Sequence, residues 1–380
     1  MRRILPFVLV GLGVFLVALA FLVRLYVYPS AAVLPYELGD AEKGVKGQQS
    51  TATGRVSVLD KGLIAEEGRN AVRPDVPVTA IRTLVTDLSA PESQEGGDVT
   101  VWRVGLAVID DKSPADKPKL ITDAMRQSVC LDRSTSESVS PCSRSYVVTC
   151  NQSEKELDPC KLAETGEAPA RPQAGQQFKF PFGTEKKTYK YYDTTILQAT
   201  DVRFEAEEEM NGLTVYRFVQ EIPETMIEDL KDPPDQVPGI LFDPKLKKNV
   251  PAKQYYQAEN TYWVEPESGQ IIKGQSTSQQ VLRGPAGTEE LVVFDGTLTM
   301  IDEDVKANAE EAASNRSKLR LVRLWVPIGA GVLGGLLVGA GLMLELGYRR
   351  RARLDANAFA ADPADPADPA DAAGEGRHRS

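Results

Sequence analysis

The sequence contains almost no histidine, and this absence limits the chemistry that it can carry. Among 380 residues the single histidine is His378, near the end of the chain. Nucleophilic systems of the Ser-His-Asp and Cys-His kinds therefore have no candidate in the rest of the chain, and neither do histidine-based metal sites. Glycine-rich phosphate loops and dinucleotide-binding glycine patterns are also missing. Carboxylates and Ser-Lys pairs occur throughout and are too common to mark a site, so we expect no enzyme and no cofactor.

Cysteine is scarce as well, and its few copies are clustered. Cys130, Cys142, Cys150 and Cys160 are the only four in the chain. An even, clustered set in a translocated segment is typical of two disulfide bonds, and three connectivities are open. A zinc site is the weaker interpretation, because the sequence has no Cys-x-x-Cys pair and no histidine nearby. We therefore predict a disulfide-bearing loop over residues 130–160.

Long uncharged runs are also few, and only two have the length to cross a membrane. They cover residues 4–23 and 324–344. A helix rises about 1.5 Å per residue, so roughly twenty residues cross a hydrocarbon core of about 30 Å. We predict two transmembrane helices, with 4–23 as an uncleaved signal anchor. A cleaved signal peptide ending near Ser30-Ala31-Ala32 is the alternative, but its apolar region would normally be about 7–15 residues long.

The basic residues beside these runs predict the orientation. Arg2 and Arg3 precede the first run, and four arginines lie within residues 349–353 after the second. Cytoplasmic flanks carry the excess of Lys and Arg, so residues 1–3 and 345–380 are predicted to be cytoplasmic. The tail contains Ala-Asp-Pro three times in register within 361–369, and proline at that spacing forbids a helix. We expect a disordered tail over 345–380.

Charge is unevenly distributed along the chain. The whole chain has 44 basic and 54 acidic residues. Residues 1–24 and 345–380 together hold nine of the basic and seven of the acidic residues. The segment in between therefore has 35 basic and 47 acidic residues, a net charge of −12. An acidic exterior domain makes nucleic acid an unsuitable partner and attracts cations.

The segment between the spans has the pattern of antiparallel β-structure. Phe204 and its neighbours alternate apolar and charged residues, and Asn211-Gly212 follows as a hairpin turn. An Ala-, Glu- and Lys-rich helix is predicted for 304–323, before a kink at Pro327. The expected fold is a membrane-anchored α+β protein with a β-rich antiparallel extracytoplasmic domain, residues 25–303, between two transmembrane helices. The predicted strands are 99–110, 146–150, 188–202 with the alternating run 202–207, 213–219 after the turn, 261–265, 271–282 and 290–300.

Three glycines in the second span are spaced to form one helix face. Gly331, Gly335 and Gly339 recur every four residues, and small residues allow another helix to approach closely. The partner is either the first span, through Gly11 and Ala18, or the second span of another copy. The glycine content of membrane helices in general is the alternative explanation.

Two further sets of side chains suit a ligand, and ordinary structure explains each of them more simply. A run of glutamates suits a divalent cation, but a solvated hairpin strand carries such charges too. A set of aromatic residues suits an apolar or sugar ligand, but strands also use aromatics to fill a core. The glutamates are Glu205, Glu207, Glu208 and Glu209, and the aromatics are Tyr189, Tyr191, Tyr192, Tyr255, Tyr256, Tyr262 and Trp263.

Two motifs carry a family resemblance. The first runs Phe180-Pro-Phe-Gly-Thr-Glu-Lys-Lys-Thr-Tyr-Lys-Tyr-Tyr-Asp193, and the second runs Tyr262-Trp-Val-Glu-Pro-Glu-Ser-Gly269. With the two terminal apolar runs they resemble the porin-A-type family of actinobacterial envelope proteins over about residues 1–350. The resemblance implies a channel, and it brings no catalytic or binding residue.

The residues themselves favour another function over a channel. A pore-forming barrel needs at least about eight strands with an apolar outward band, and these strands carry charges. We therefore expect a non-enzymatic, two-pass cell-envelope protein whose exterior domain binds or passes on an apolar envelope component, or scaffolds other proteins. A cation-preferring channel is the first alternative, and a carboxylate-based membrane hydrolase is the second. The expected partners are membrane lipid, an apolar ligand and a second copy bound through the second span.

Overall fold

The computed structural model describes residues 4–40, 45–93, 97–114, 119–122, 124–150, 168, 170–227 and 236–360. By its contacts the chain divides into two compact units. The first consists of Met1–Val27 and Val322–Ser380, and the second is Tyr28–Leu321. The first unit thus holds the uncharged runs at the two ends of the chain, and the second unit holds the segment between them.

Two helices in the described chain are long and apolar enough to cross a membrane. The first begins with α1 (Leu5–Leu22) and continues through a π-helical turn (Val23–Val27) into the short α2 (Tyr28–Ala31). The second begins with α4 (Asp302–Arg320) and continues through another π-helical turn (Leu321–Trp325) into α5 (Val326–Ala360). A four-residue helix, α3 (Ile64–Glu67), lies between them in the sequence.

Each π-helical turn precedes a proline. Pro29 follows the turn Val23–Val27, and Pro327 follows the turn Leu321–Trp325. A proline inside a helix lacks the N–H that would bond to the carbonyl four residues earlier, and its ring crowds that carbonyl. Widening the preceding turn relieves this crowding without ending the helix. The helix thus continues past Pro327, the position at which the sequence predicts a kink.

The second apolar helix is longer than the sequence predicts. α5 ends at Ala360, so the expectation of a disordered tail beginning at residue 345 is wrong for residues 345–360. Arg349 Nε donates a hydrogen bond to Glu345 Oε1 at 2.8 Å, one helical turn earlier. The Ala-Asp-Pro repeats at 361–369 and the rest of the tail to residue 380 lie outside the described residues.

The second unit is built on an 11-stranded antiparallel sheet with the order β7-β6-β5-β4-β3-β15-β14-β13-β10-β9-β8. Two small two-stranded sheets, β1-β2 and β11-β12, accompany it. The strands are β1 (Gly39–Asp40), β2 (Val45–Lys46), β3 (Gln48–Leu59), β4 (Val72–Thr86), β5 (Val99–Asp110), β6 (Ala124–Asp132), β7 (Tyr146–Cys150), β8 (Tyr189–Asp193), β9 (Gln198–Met210), β10 (Leu213–Met226), β11 (Gln236–Pro238), β12 (Asn249–Pro251), β13 (Lys253–Glu265), β14 (Gln270–Arg283) and β15 (Leu291–Met300).

The predicted β-rich antiparallel architecture is confirmed, with differences in several strands. β5 and β7 have the predicted bounds, and Asn211 and Gly212 form the predicted turn with φ of 48° and 75°. The strand predicted over 188–202 is instead two strands, because the chain turns back where Leu197 adopts φ 57°. The long strands β3, β4 and β6 were not predicted.

The large sheet is curled, and hydrogen bonds link its two ends. Gln176 bridges to Tyr191 of β8 and to Glu137, and Ser138 bridges to Leu131 of β6. The segment around Gln176 therefore bonds on one side to the last strand and on the other side to a loop that returns to β6.

The two faces of the curled sheet differ in polarity. The inner face holds apolar clusters, for example Val56, Val78 and Val108, which are almost fully buried. The outer face of the same sheet exposes charged residues, among them Arg203 and Glu221, which form an ion pair. Hydrocarbon requires an apolar outward band on a strand-built pore, so this face suits water rather than lipid.

Candidate functional site

Glycines in the first unit bring its two apolar helices into close contact. A Cβ placed on Gly334 would lie 2.6 Å from the carbonyl oxygen of Gly13, and one on Gly341 would lie 2.7 Å from Val10 Cγ2. On α1 the buried positions are Pro6, Gly13 and Ala20, which recur every seven residues. A side chain larger than hydrogen is therefore excluded at Gly13, Gly334 and Gly341.

The glycines singled out in the sequence lie on a different face of α5. A Cβ on Gly331, Gly335 or Gly339 would meet no described atom within 4 Å. The suggestion that these glycines dock on the first span through Gly11 and Ala18 is wrong, because Gly11 also faces open space and Gly334 and Gly341 make that contact instead. The other alternative, a second copy, remains a prediction for this open glycine face.

In the second unit, the first sequence motif places a phenylalanine at the centre of an aromatic core. Phe180 is fully buried, and its ring centroid lies 4.7 Å from that of Phe218 and 5.5 Å from that of Tyr189. Tyr191 lies at 5.9 Å and Tyr262 at 6.4 Å. Rings at these separations attract each other beyond their burial of apolar area. Phe180 thus fills the inner face of the sheet where β8, β9, β10 and β13 meet.

The sequence analysis considered a set of aromatic residues as the lining of a ligand cavity, and in the structure most of them belong to the core. Tyr189, Tyr191, Tyr192 and Tyr256 are buried. Burial raises the pKa of Tyr191 to about 12, against a small opposing effect of Arg82. Trp263 is half-buried and donates from Nε1 to Glu208 Oε2 at 2.8 Å. Packing and this hydrogen bond therefore account for these five side chains.

The two motifs of the sequence contact each other directly. Gly269 closes the turn between β13 and β14 with φ 72°, a conformation that glycine adopts at no steric cost. A Cβ at this position would lie 2.1 Å from the carbonyl oxygen of Phe180. Phe180 N donates to Gly269 O at 2.9 Å, and Thr184 N donates to Pro266 O at 2.7 Å. Both motifs therefore serve one structural contact, between loop 180–184 and turn 265–269.

Charged side chains surround this contact. Glu265 is fully buried and accepts hydrogen bonds at Oε2 from Ser268 N and Ser268 Oγ, both at 2.7 Å. From helix α4, Arg320 Nε donates to Glu267 Oε1 at 2.5 Å. Arg316 Nε lies 4.0 Å from Glu265 Oε1 and 3.8 Å from Glu267 Oε1. Turn 265–269 thus connects α4 to the sheet through two carboxylate–guanidinium pairs.

Lys179 completes this charged cluster without a hydrogen bond of its own. Its Nζ is enclosed, lies 3.2 Å from the ring centroid of Phe182, and has no hydrogen-bond partner among the described residues. Burial lowers the pKa of Lys179 to about 7, although the negative charge of Glu265 acts in the opposite direction. No sequence motif marked this lysine, because its environment is made by segments distant in the chain.

The glutamates that suit a cation by sequence do not converge. Glu207 pairs with Lys186, and Glu209 accepts from Thr214 Oγ1 at 2.8 Å. Glu208 accepts from Trp263 Nε1 and from Arg217 Nε at 2.7 Å, and these hydrogen bonds lower the pKa of Glu208. Each of these three carboxylates has its own partner along the β9–β10 hairpin, as expected for a solvated strand.

The structure shows one of the disulfide pairings that the sequence left open. Cys130 is bonded to Cys142, with their Cα atoms 5.9 Å apart. Cys150 is also disulfide-bonded, and Cys160 lies outside the described residues. The ligand atoms of Glu92, Cys130 and Cys142 lie within 4.8 Å of one another, but both sulfurs are used in the disulfide. Metal binding needs thiolates, so this group is no metal site.

Removing this disulfide should destabilise the second unit. The bond closes a loop with a sequence separation of 12. By loop-closure entropy such a bond is worth about 3 kcal/mol. We expect the Cys130→Ala/Cys142→Ala variant to lose about that much unfolding free energy in a denaturant titration. Non-reducing peptide mapping of the native protein provides the control, and recovery of a Cys130–Cys150 peptide would contradict the pairing.

A shallow pocket of about 260 Å³ lies on the outer face of the sheet, where Ile81, Gly105 and Ala124 of β4, β5 and β6 contribute to its wall. Pockets that hold small molecules usually measure about 300–1,000 Å³. This pocket is therefore small for a lipid or another apolar envelope component, and it lends no support to the function first expected from the sequence.

Comparison with known proteins identifies the family. The sequence matches the porin PorA family over residues 5–343. It is similar to the porin PorA of Corynebacterium resistens, with 25% identity over 94% of this chain and 100% of that protein. It is also similar to the porin PorA of Corynebacterium amycolatum, with 24% identity over 86% of this chain and 87% of that protein. The match runs from the first apolar helix through both motifs and the whole curled sheet into the second apolar helix, so this chain belongs to the porin PorA family.

Proposed function

We propose that this protein is a cation-preferring channel of the cell envelope, formed when several copies contribute their apolar helices to one pore. The open glycine face, Gly331, Gly335 and Gly339, carries this proposal, because it is a helix-packing surface with no described partner in its own chain. The curated relatives are named porins, which supports a channel over a ligand carrier.

The curled sheet is an unsuitable wall for such a pore within lipid. Its outer face carries exposed charges such as Arg55, Arg203 and Glu259, whereas hydrocarbon tolerates neither charged faces nor open strand edges. A pair of helices from one chain encloses no channel by itself. Helices from several copies, assembled through the open glycine face, satisfy both constraints.

The charge of the segment between the spans supports the selectivity. Its net charge of −12 raises the local concentration of cations near a pore mouth on the same side. In this proposal the segment lies outside the cell membrane and both termini are cytoplasmic, as the flanking arginines predict. The channel has no catalytic step and needs no cofactor.

Purified full-length protein in a planar lipid bilayer should produce stepwise, cation-selective conductance. Because several copies form one pore, the number of steps should rise more steeply than linearly with protein concentration. Reversal potentials in a KCl gradient measure the selectivity, and an equal amount of heat-denatured protein is the control. Folded protein that incorporates into the bilayer and gives no steps at any concentration would overturn the proposal.

A further inference from the structure

The two apolar helices of the first unit run antiparallel, so the start of α1 and the second part of α5 share one end of the unit. A Cβ on Gly334 would meet Gly13, whereas one on Gly341 would lie 2.8 Å from the carbonyl oxygen of Pro6. Increasing numbers on α5 therefore match decreasing numbers on α1. At this end α5 continues as a helix beyond the uncharged run 324–344, as far as Ala360.

The continuation of α5 beyond residue 344 carries a concentrated positive charge. Residues 345–354 contain four arginines and one glutamate, a net charge of +3. Arg349 uses the glutamate, since its Nε donates to Glu345 Oε1 at 2.8 Å. Arg350, Arg351 and Arg353 are exposed and have no hydrogen bond or ion pair among the described residues. Three guanidinium groups are thus available to an anion from outside the chain.

A continuous helix fixes the distance of these arginines from the apolar run. Arg350 and Arg353 lie six and nine residues after Leu344, which is about 9 and 14 Å along the helix axis. Side chains on a helix lean toward its N-terminus, and in α5 this is the direction of the apolar run. Long arginine side chains near the end of a membrane helix reach back to the interface in this way. The guanidinium groups therefore come level with the lipid headgroups when 324–344 spans a membrane.

The side chains that accompany these arginines also suit a lipid surface. Leu346 and Leu354 are 59% and 68% exposed, and Leu354 lies beyond the last of the four arginines. Tyr348 lies between them in the sequence, and tyrosine is enriched where membrane helices meet water. A mixture of arginine with exposed leucine is typical of helical segments that lie in the headgroup layer.

Arg350 and Arg353 extend the open glycine face of α5. Arg353 follows Gly335 by 18 residues, about five turns, and Arg350 follows Gly339 by 11 residues, about three turns. This face is turned away from α1, so the first helix leaves the two arginines uncovered. Copies that meet through this face bring like charges together, and an anion between the copies would offset that repulsion.

We propose that Arg350, Arg351 and Arg353 form a binding site for the headgroups of anionic phospholipids at the membrane end of α5. The phosphate group of such a lipid accepts hydrogen bonds from guanidinium groups, often two from one arginine. Its negative charge balances the positive charge that Glu345 leaves uncompensated. The inference rests on the proposed function only for the placement of 324–344 in a membrane, and lipid binding is measured without any conductance.

Quantification of co-purified lipid tests the site. Full-length protein in micelles of an uncharged detergent receives equal amounts of phosphatidylglycerol and phosphatidylcholine. Size-exclusion chromatography removes free lipid, and mass spectrometry measures the lipid that stays bound. One cationic side chain near an anionic surface is worth about fivefold in binding, so we expect phosphatidylglycerol to be retained at least about fivefold over phosphatidylcholine. Equal retention of the two lipids by the folded wild-type protein would overturn the proposal.

Two variants with opposite expected effects locate the lipid. The triple variant Arg350→Gln/Arg351→Gln/Arg353→Gln should lose the preference for phosphatidylglycerol and keep its melting temperature, because these side chains have no partner among the described residues to lose. Glu345→Gln should raise the preference, because it frees Arg349, and a misfolded protein could not produce this gain. A triple variant that keeps the wild-type preference, or a Glu345→Gln variant that lowers it, would contradict the site.

A matched control removes the same charge from the second unit. Three exposed lysines of that unit are changed to glutamine, and this variant should keep the wild-type preference. The changes are Lys245→Gln, Lys247→Gln and Lys248→Gln. If the control loses the preference as the triple arginine variant does, then the preference follows the total charge of the protein, and the proposed site is wrong.

The acidic tail of the same chain is another source of negative charge. Residues 361–380 contain five acidic and two basic residues. A lipid headgroup is favoured because it already lies at the level of the arginines, whereas a chain segment loses conformational entropy when it binds. The variant Asp362→Asn/Asp365→Asn/Asp368→Asn should therefore show the wild-type lipid preference. If the wild type has no preference and this variant gains one, then the tail occupies the arginines and the lipid proposal fails.

Discussion

Gly335→Leu should abolish conductance in a planar bilayer, whereas Gly334→Leu should damage the protein in another way. The two residues are adjacent and the change is the same, but they point about 100° apart around α5. Gly335 faces open space, so a leucine there fits within its own chain and blocks close approach by a second copy. We expect at least a tenfold loss of conductance at equal incorporated protein, with an unchanged melting temperature.

At Gly334 the leucine would collide with the other helix of the same chain. Its Cβ alone would lie 2.6 Å from Gly13 O and 2.9 Å from Val17 Cγ2. We therefore expect Gly334→Leu to lower the melting temperature in micelles by several degrees, whatever its effect on conductance. Circular dichroism follows melting, and size-exclusion chromatography with light scattering follows the number of copies. Full conductance from Gly335→Leu would show that the open glycine face does not assemble the pore.

Much of the fold follows from local patterns in the sequence. The two apolar runs, strands β5 and β7, and the Asn211-Gly212 turn are each specified within a few residues. β3 and β4 were not predicted, and the composition of β3 shows a physical reason. The inward positions of β3 include Ser50, Ala52 and Gly54, which are small or polar, so apolar and polar residues do not alternate clearly. β3 also pairs with β15, which is distant in the sequence, whereas β4 pairs with its neighbours β3 and β5.

The sequence also does not predict which glycine face of α5 packs against α1. Residues 326–344 of α5 are apolar on every side, and glycines occur there at spacings of both four and seven residues. The four-residue series, Gly331, Gly335 and Gly339, is more conspicuous, yet Gly334 and Gly341 make the contact with α1. Only the packing of the first helix, through Gly13 and Val10, distinguishes the two faces.

The charged cluster is a third case, because its members come from separate parts of the chain. Lys179, Glu265 and Arg316 are each ordinary in their local sequence. The two motifs, at 180–193 and 262–269, carry the family resemblance, but the sequence does not show that they contact each other. Their contact depends on β8 and β13 lying on the same curled sheet, with α4 packed on its outer face.

Phe180→Ala should strongly destabilise the second unit. The ring is fully buried and contacts Phe218, Tyr189, Tyr191 and Tyr262, so its removal leaves a cavity that these rigid rings cannot fill. Truncation of a buried phenylalanine costs about 3–5 kcal/mol. The same change also loosens loop 180–184 from turn 265–269, because Phe180 N and O both lie against Gly269.

Phe204→Ala is the matched control for this truncation. Phe204 belongs to the same cluster and lies 5.9 Å from Phe218, but it is only partly buried. Its loss should therefore cost less than half as much. Denaturant titration of the full-length variants in micelles, followed by near-ultraviolet circular dichroism, measures both free energies. If Phe180→Ala costs no more than Phe204→Ala, then the first motif is not the centre of the core, and its resemblance to the family would need another physical cause.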